Sequence, residues 1–190
     1  MMEGGSARDY TKAKALFLSE PKLFARLFEK LTRAVISYLR MQIEAGADAV
    51  QIFGSLEGNL ADNMIEPASL RSVAKIIAGL RSKVPVIFFP RGAHGPWDAL
   101  ADTGAQVLGV DWTVGLAAVA AQLPARVGVQ GTLDPCLLTT SAGVVARETR
   151  RILEDMRGRP GHIFNLGHGV PPSAKIECIE SLVDTVKGFS

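Results

Sequence analysis

His168 stands between two glycines directly after an apolar run, in His162-Ile163-Phe164-Asn165-Leu166-Gly167-His168-Gly169. An imidazole presented at the tip of a buried strand can hold an anion or move a proton. A core histidine would not need unhindered backbone on both sides. Four other apolar runs end in unusual polar chemistry: Phe53-Gly54-Ser55, Phe89-Pro90-Arg91-Gly92, Val110-Asp111-Trp112 and Val129-Gln130-Gly131. Arg91 has the planar donor fork that suits carboxylates, although an arginine at a strand exit also suits a rim salt bridge. Asp111 and Asp134 each precede a turn or helix entry, where a carboxylate caps backbone N–H groups, so both are read as scaffold. His94 lies in the loop Gly92-Ala93-His94-Gly95-Pro96 and fits either a site or a structural role, whereas His162 precedes its strand and reads as structural. The expectation is a set of strand ends that converge on one anion-binding site.

The elements needed to place those residues follow from periodicity. Over residues 21–45, Phe24, Leu27, Phe28, Leu31, Val35, Leu39 and Ile43 recur at three- and four-residue steps, the mark of one face of a long helix, with Gly46 as its stop. Residues 49–53 read as a strand, and a helix is expected near Glu66 with Pro67 in its first turn. Strands over 84–89, 106–110, 126–130 and 162–166 alternate with helices over 97–103, 114–123, 143–156 and 173–186, the last with Ser173 as a candidate N-cap. Alternation with near-continuous apolar strands implies a parallel sheet covered on both faces. Polar chemistry at the strand ends favours a (β/α)8 barrel, whose sites lie at the C-terminal ends of its strands. No G-x-G-x-x-G follows the first strand and no G-x-x-x-x-G-K-[ST] occurs, so the nucleotide folds are the weaker reading. The chain supplies about five β/α units where a closed barrel has eight, so it reads as the C-terminal part of an incomplete barrel, a single domain over residues 1–190.

Composition narrows the function classes. The 190 residues are 47% hydrophobic and 21% charged, ample for a sizeable core. The formal net charge of +2 comes from 21 basic and 19 acidic residues interleaved along the chain, so no basic stripe marks a nucleic-acid binder. The arginines at 147, 150, 151, 157 and 159 mix with Glu148, Glu154 and Asp155 as a solvated helix face. Cys136 and Cys178 match no metal spacing and read as a buried small hydrophobe and a helix residue, in a reducing compartment. Met1-Met2-Glu3-Gly4-Gly5-Ser6 lacks the order of a signal peptide, and no apolar run reaches membrane-spanning length. A cytoplasmic protein without membrane or nucleic-acid partners is expected.

Four motifs carry a resemblance. Gly46-Ala47-Asp48-Ala49-Val50-Gln51-Ile52-Phe53, Val110-Asp111-Trp112-Thr113, Gln130-Gly131-Thr132-Leu133-Asp134-Pro135 and Ile163-Phe164-Asn165-Leu166-Gly167-His168-Gly169 together resemble the uroporphyrinogen decarboxylase family, in consistent order from Met2 onward. The resemblance implies a cofactor-free, homodimeric (β/α) barrel without a metal, which removes carbon dioxide from the four acetate side chains of uroporphyrinogen III to give coproporphyrinogen III during haem synthesis. It also implies that the family's arginine-rich motif and pyrrole-binding aspartate lie upstream of Met1, which leaves the catalytic residues unassigned here. Carried over by position, Ser55 matches a serine that hydrogen-bonds a substrate carboxylate, Phe53 a pocket-wall aromatic beside it, and His168 a histidine at the pocket rim. Arg91 joins them as the best cation for the task. Asp111, Gln130 and Asp134 fall in family motifs and are assigned scaffold roles.

The chain departs from the family where Gly54 replaces a usual acidic residue, Glu57 a usual alanine and Thr132 a usual asparagine. A carboxylate at 57 would repel a polycarboxylate substrate if it faced the pocket, and would not if it pointed to solvent. Two alternatives accompany the decarboxylase reading. One is an inactive remnant, or a partner segment of a split barrel. The other is the related methyltransferase branch, whose zinc requires converging Cys and His ligands. No His-x-Cys pair occurs, since Pro96 follows His94 and Val170 follows His168 at that spacing.

Overall fold

A computed structural model of the chain describes residues 2–5, 9–81 and 84–189. Met1 and Ser6, part of the N-terminal stretch read above as no signal peptide, lie outside the described residues. The chain gathers into two compact units, residues 1–106 and 107–190.

The first unit opens with helix α1 (Thr11–Ser19), which no periodic stripe announces because Ala13 is its one buried residue. Helix α2 (Pro21–Glu44) then places Pro21 at its first position, where a missing N–H costs nothing. Phe17, Phe24 and Phe28 join the two helices through ring contacts at 5.1 and 4.2 Å. Gly46 ends the helix at φ 101°, a conformation that favours glycine. Strand β1 (Val50–Gly54) pairs in parallel with β2 (Val86–Pro90), in a register that sets Gly54 beside Pro90. All five residues of β2 are buried, as expected of a strand covered on both faces.

Between the two strands the structure corrects the expected helix start. A 3-10 turn at Glu57–Asn59 leads into α3 (Asp62–Ile65), a π-helical segment at Glu66–Leu70 and α4 (Arg71–Leu80). Pro67 therefore lies inside a continuous helical run that begins at Asp62. It has no N–H to return to the carbonyl four residues back, and the run widens to a π turn at that point. Helix α4 packs on α2, where a side chain at Gly79 would meet Ile36 Cδ1 at 2.6 Å. Helix α5 (Trp97–Ala101) is shorter than its expected span, because Thr103 turns back to hydrogen-bond the Leu100 carbonyl.

The second unit holds β3 (Val107–Gly109), α6 (Leu116–Gln122), β4 (Gly128–Leu133), α7 (Ala142–Asp155), β5 (His162–Leu166) and α8 (Ile176–Lys187). Its strands are parallel and adjacent in the order β3-β4-β5. Strand β4 runs past the expected end at Gln130 to Leu133, which pairs with Leu166, so Gly131 sits within the strand. A side chain there would collide with the Val110 carbonyl oxygen. Ser173 is not a helix cap: residues 171–174 form a turn, Lys175 is the residue before α8, and its N–H donates to the Leu138 carbonyl at 2.9 Å. Each strand is thus followed by a helix, an α/β fold of five β/α units. Among the described residues no helix is long and apolar enough to cross a membrane.

Candidate functional site

In the first unit, the ends of β1 and β2 are strapped together by backbone. The Arg91 N–H donates to the Gly54 carbonyl at 3.0 Å, and the Gly58 N–H donates to the Arg91 carbonyl at 3.2 Å. The approach at Gly58 is so close that a Cβ there would lie 2.6 Å from Gly92 Cα and 2.7 Å from the Gly92 carbonyl carbon. Glycine is therefore required by contact between two backbones. This strap holds Ser55 and Arg91 on neighbouring strand exits. Both line a cavity of about 1180 Å³ with Phe53, Tyr10, Tyr38 and Glu57.

The site residues named from the sequence in this unit share that cavity. Phe53 is 71% exposed and meets Phe89 edge-on at 6.2 Å, so it is a wall residue and not core. Ser55 is exposed. Arg91 is exposed and makes no ion pair among the described residues, so the salt-bridge alternative finds no partner here. The apolar stripe of α2 supplies Leu27, Phe28, Leu31, Val35 and Leu39 to the same cavity. That explains why only Phe24 and Leu39 of the stripe are fully buried.

Of the two orientations considered for Glu57, the solvent-facing one is excluded: the residue lines the cavity from a buried position. It is 2% exposed, and its Oε1 accepts a hydrogen bond from the Ser69 hydroxyl. Its Oε2 is buried with no hydrogen-bond partner. Burial pushes the carboxyl above its ordinary value, outweighing the Ser69 hydroxyl and the Glu57 and Leu56 backbone N–H groups that pull it down. Burial thus works against the charge that would repel a polycarboxylate. The carboxyl lies over Gly54: a Cβ at that position would sit 2.5 Å from Oε1 and 2.6 Å from Cδ. The departures at 54 and 57 are therefore a single change in space. Sequence reasoning placed both beside Ser55 but missed Ser69, which lies twelve residues downstream in the π segment.

In the second unit, Asp111 is buried and accepts from the Thr113 N–H at 2.9 Å and the Thr113 hydroxyl, which is the capping role expected of it. Asp134 likewise accepts from the Cys136 N–H at 2.8 Å. Thr132 is buried and its hydroxyl donates to the Asp111 carbonyl. His168 is exposed after β5 and stacks on Trp112 at 6.2 Å between centroids. The flanking glycines serve different ends from the freedom first read into them. Gly167 allows a close approach, since a Cβ there would lie 2.5 Å from the Trp112 nitrogen, and Gly169 has open space around it. Trp112 is the partner that the sequence left unassigned, although it stands in one of the four motifs.

Other side chains fall into structural roles. His162 Nε2 lies 3.3 Å from the Gly131 carbonyl, and burial lowers its pKa more than that contact raises it. Cys136 is exposed on a 3-10 turn, against the buried setting expected of it, whereas Cys178 lies on α8 as expected and is fully buried. Arg147, Arg151 and Arg157 form exposed ion pairs with Glu148, Asp155 and Glu154, the solvated face anticipated from composition. Arg159 leaves that face and donates to the Val127 carbonyl at 3.3 Å.

With this geometry in place, comparison with known proteins is informative. The solved structure of a methyltransferase from Methanosarcina mazei covers 93% of the chain with a TM-score of 0.81 at 18% identity, a likeness of fold, and 52% of that chain is matched. Uroporphyrinogen decarboxylases from Ralstonia pickettii and Saccharophagus degradans are 42% and 44% identical over the whole chain. The chain spans about half the length of these relatives, 54% and 55% respectively. The family model described as uroporphyrinogen decarboxylase matches residues 1–189, and the chain belongs to that family.

Proposed function

We propose that this chain contributes the carboxylate-holding part of a cofactor-free decarboxylase acting on the acetate side chains of uroporphyrinogen III. The observation that carries the reading is identity above 40% across the whole chain with relatives named for that activity. The cavity of the first unit suits the task in kind. Arg91 offers a paired-donor cation, Ser55 a hydroxyl and Phe53 an aromatic wall for a flat ring. In the second unit His168, stacked on Trp112, is assigned a substrate carboxylate by its match to the family's histidine.

Decarboxylation breaks the bond between the acetate methylene and its carboxylate. The electron pair needs a sink, which a pyrrole ring protonated next to the acetate supplies. Carbon dioxide leaves, a proton added at the methylene yields a methyl group, and the ring gives up the proton it had taken so that the pyrrole is restored. The residues of this chain then have two jobs: to orient the carboxylates, and to hold the reacting one away from bulk water. A cytoplasmic setting, a homodimer and one domain over residues 1–190 accompany this reading.

The test is anaerobic turnover of uroporphyrinogen III by the purified chain, alone and mixed with the N-terminal half of the Ralstonia pickettii relative, following stepwise loss of carboxylates. Activity in the mixture supports the proposal. Turnover by the chain alone would move the chemistry onto Arg91, Ser55 and His168. Absence of turnover in both arms, with correctly folded components, favours a remnant and refutes the decarboxylase reading.

A further inference from the structure

We propose that Glu57 is a positioning residue that must be uncharged: its carboxyl, seated over Gly54 and held by Ser69, fixes the strand-exit loop that presents Ser55 and Arg91 to a carboxylate-bearing ligand. The inference rests on the carboxylate-site reading for the ligand, and on geometry alone for the lock. Three observations on one loop carry it. Glu57 is 2% exposed on the 3-10 turn that follows Ser55. Its one side-chain partner is Ser69, in the π segment of the next helix, so the bond ties the exit of β1 to the helix that follows it. The space it fills is the space a side chain at 54 would need, and Gly54 in turn accepts from the Arg91 N–H at 3.0 Å. Withdrawal of the carboxyl would empty the seat against the strap that aligns Ser55 with Arg91.

The charge requirement follows from burial without a countercharge. A carboxyl buried with no cation beside it among the described residues, and with Oε2 lacking a partner, is costly to ionise, and burial outweighs the Ser69 and backbone hydrogen bonds that favour the charged form. Other titratable groups around the cavity are Glu3 and Tyr10 from the N-terminal segment, Tyr38 from α2 and Arg91 from the exit of β2. Lys14 on α1 reaches the Asn59 carbonyl at 3.5 Å, and Glu66 in the π segment is paired with Arg71 at the surface. Because these side chains are ionisable too, the informative comparison is with Glu57→Gln, which keeps an acceptor oxygen for Ser69 and cannot ionise.

The experiment uses the full chain as wild type, Glu57→Gln, Glu57→Ala, Gly54→Ala and Gly54→Ala with Glu57→Ala. Amide exchange protection of Gly58 and Arg91 reads the strap without any ligand. Fluorescence titration with uroporphyrin as a stable polycarboxylate reads the site. Between about pH 5 and about pH 9, Glu57→Gln should keep its protection, while wild type should fall about tenfold below it at the alkaline end, the scale of one buried hydrogen bond lost. Glu57→Ala and Gly54→Ala should each lose about tenfold at every pH, and the double variant should be no worse than Glu57→Ala, since both act on one seat. Parallel pH profiles for wild type and Glu57→Gln, or Glu57→Gln behaving as Glu57→Ala, would overturn the proposal. Uroporphyrin affinity should follow the same order. If uroporphyrin fails to bind wild type while the exchange pattern holds, the carboxylate-site reading fails and the lock stands.

Discussion

Substituting Gly58 with alanine tests whether the strap between the two strand exits is real. The added Cβ would lie 2.6 Å from Gly92 Cα and 2.7 Å from the Gly92 carbonyl carbon and oxygen. Carbon atoms rest at about 3.5–4.0 Å, so the two loops must part by about 1 Å. Backbone faces backbone on both sides, so no side chain can rotate away. Overpacking of this kind costs about 1–3 kcal/mol. The Gly58 to Arg91 hydrogen bond at 3.2 Å stretches beyond reach, adding about 0.5–1.5 kcal/mol. The sum is about 1.5–4.5 kcal/mol, which lowers the melting temperature by roughly 3–18 °C for a chain of this size. A matched control is Gly143→Ala on α7, where a Cβ meets nothing within 4 Å and helix propensity favours alanine by up to about 1 kcal/mol. Thermal unfolding by circular dichroism and uroporphyrin titration are measured on both variants. Gly58→Ala should lose stability and more than about tenfold in affinity, because Ser55 and Arg91 shift relative to each other. A melting temperature for Gly58→Ala equal to that of wild type, with affinity intact, would refute both the close approach and its role.

Three further outcomes are expected. His162 has a pKa below its ordinary 6.5 because burial disfavours the imidazolium. The unfolded chain therefore takes up the proton first, and the stability this histidine contributes is full above pH 6.5 and lost as pH falls through the folded value. His162→Gln should flatten that acid limb in thermal melts from about pH 7.5 to about pH 5, and an unchanged limb would assign it elsewhere. Gly167→Ala places a Cβ 2.5 Å from the Trp112 nitrogen, so the His168 to Trp112 stack should open, with a shift in tryptophan emission that Gly169→Ala does not produce. Asp134→Ala removes the acceptor for the Cys136 N–H and should cost about 0.5–2 kcal/mol in denaturant unfolding, with no change in the denaturant slope.

Much of the fold was legible because its signals are local. The α2 stripe, the Gly46 stop and the bounds of β5 follow from periodicity and from where a chain can reverse. The Asp111 and Asp134 caps were legible for the same reason, since each bonds a backbone N–H two residues on. Helix α1 was not, because a helix with one buried residue leaves no stripe to detect. The start of the next helix was misplaced at Glu66 because proline is favoured in a first turn. A π segment satisfies the same residue in mid-run, and only the flanking helix shows which applies. Strand β4 was cut short at Gln130 because glycine reads as a terminator. Here it is demanded by the Val110 carbonyl just past the end of β3.

The site divides along the same line. Ser55, Arg91 and Phe53 share a cavity as their strand-exit positions suggested, because the register of a parallel pair carries neighbouring exits to neighbouring places. The charge state of Glu57 could not be read from the same letters. A glutamate counts as a negative charge wherever the chain is exposed, and only its 2% exposure shows the burial that raises its pKa. Taken one position at a time, Gly54 and Glu57 look like two separate losses at a binding site. Placed in space, a Cβ at 54 would meet the Glu57 carboxyl in its present seat, so the two positions bear on each other. The residue that on a one-position reading threatened to repel carboxylates is buried against Ser69, on the loop that follows Ser55.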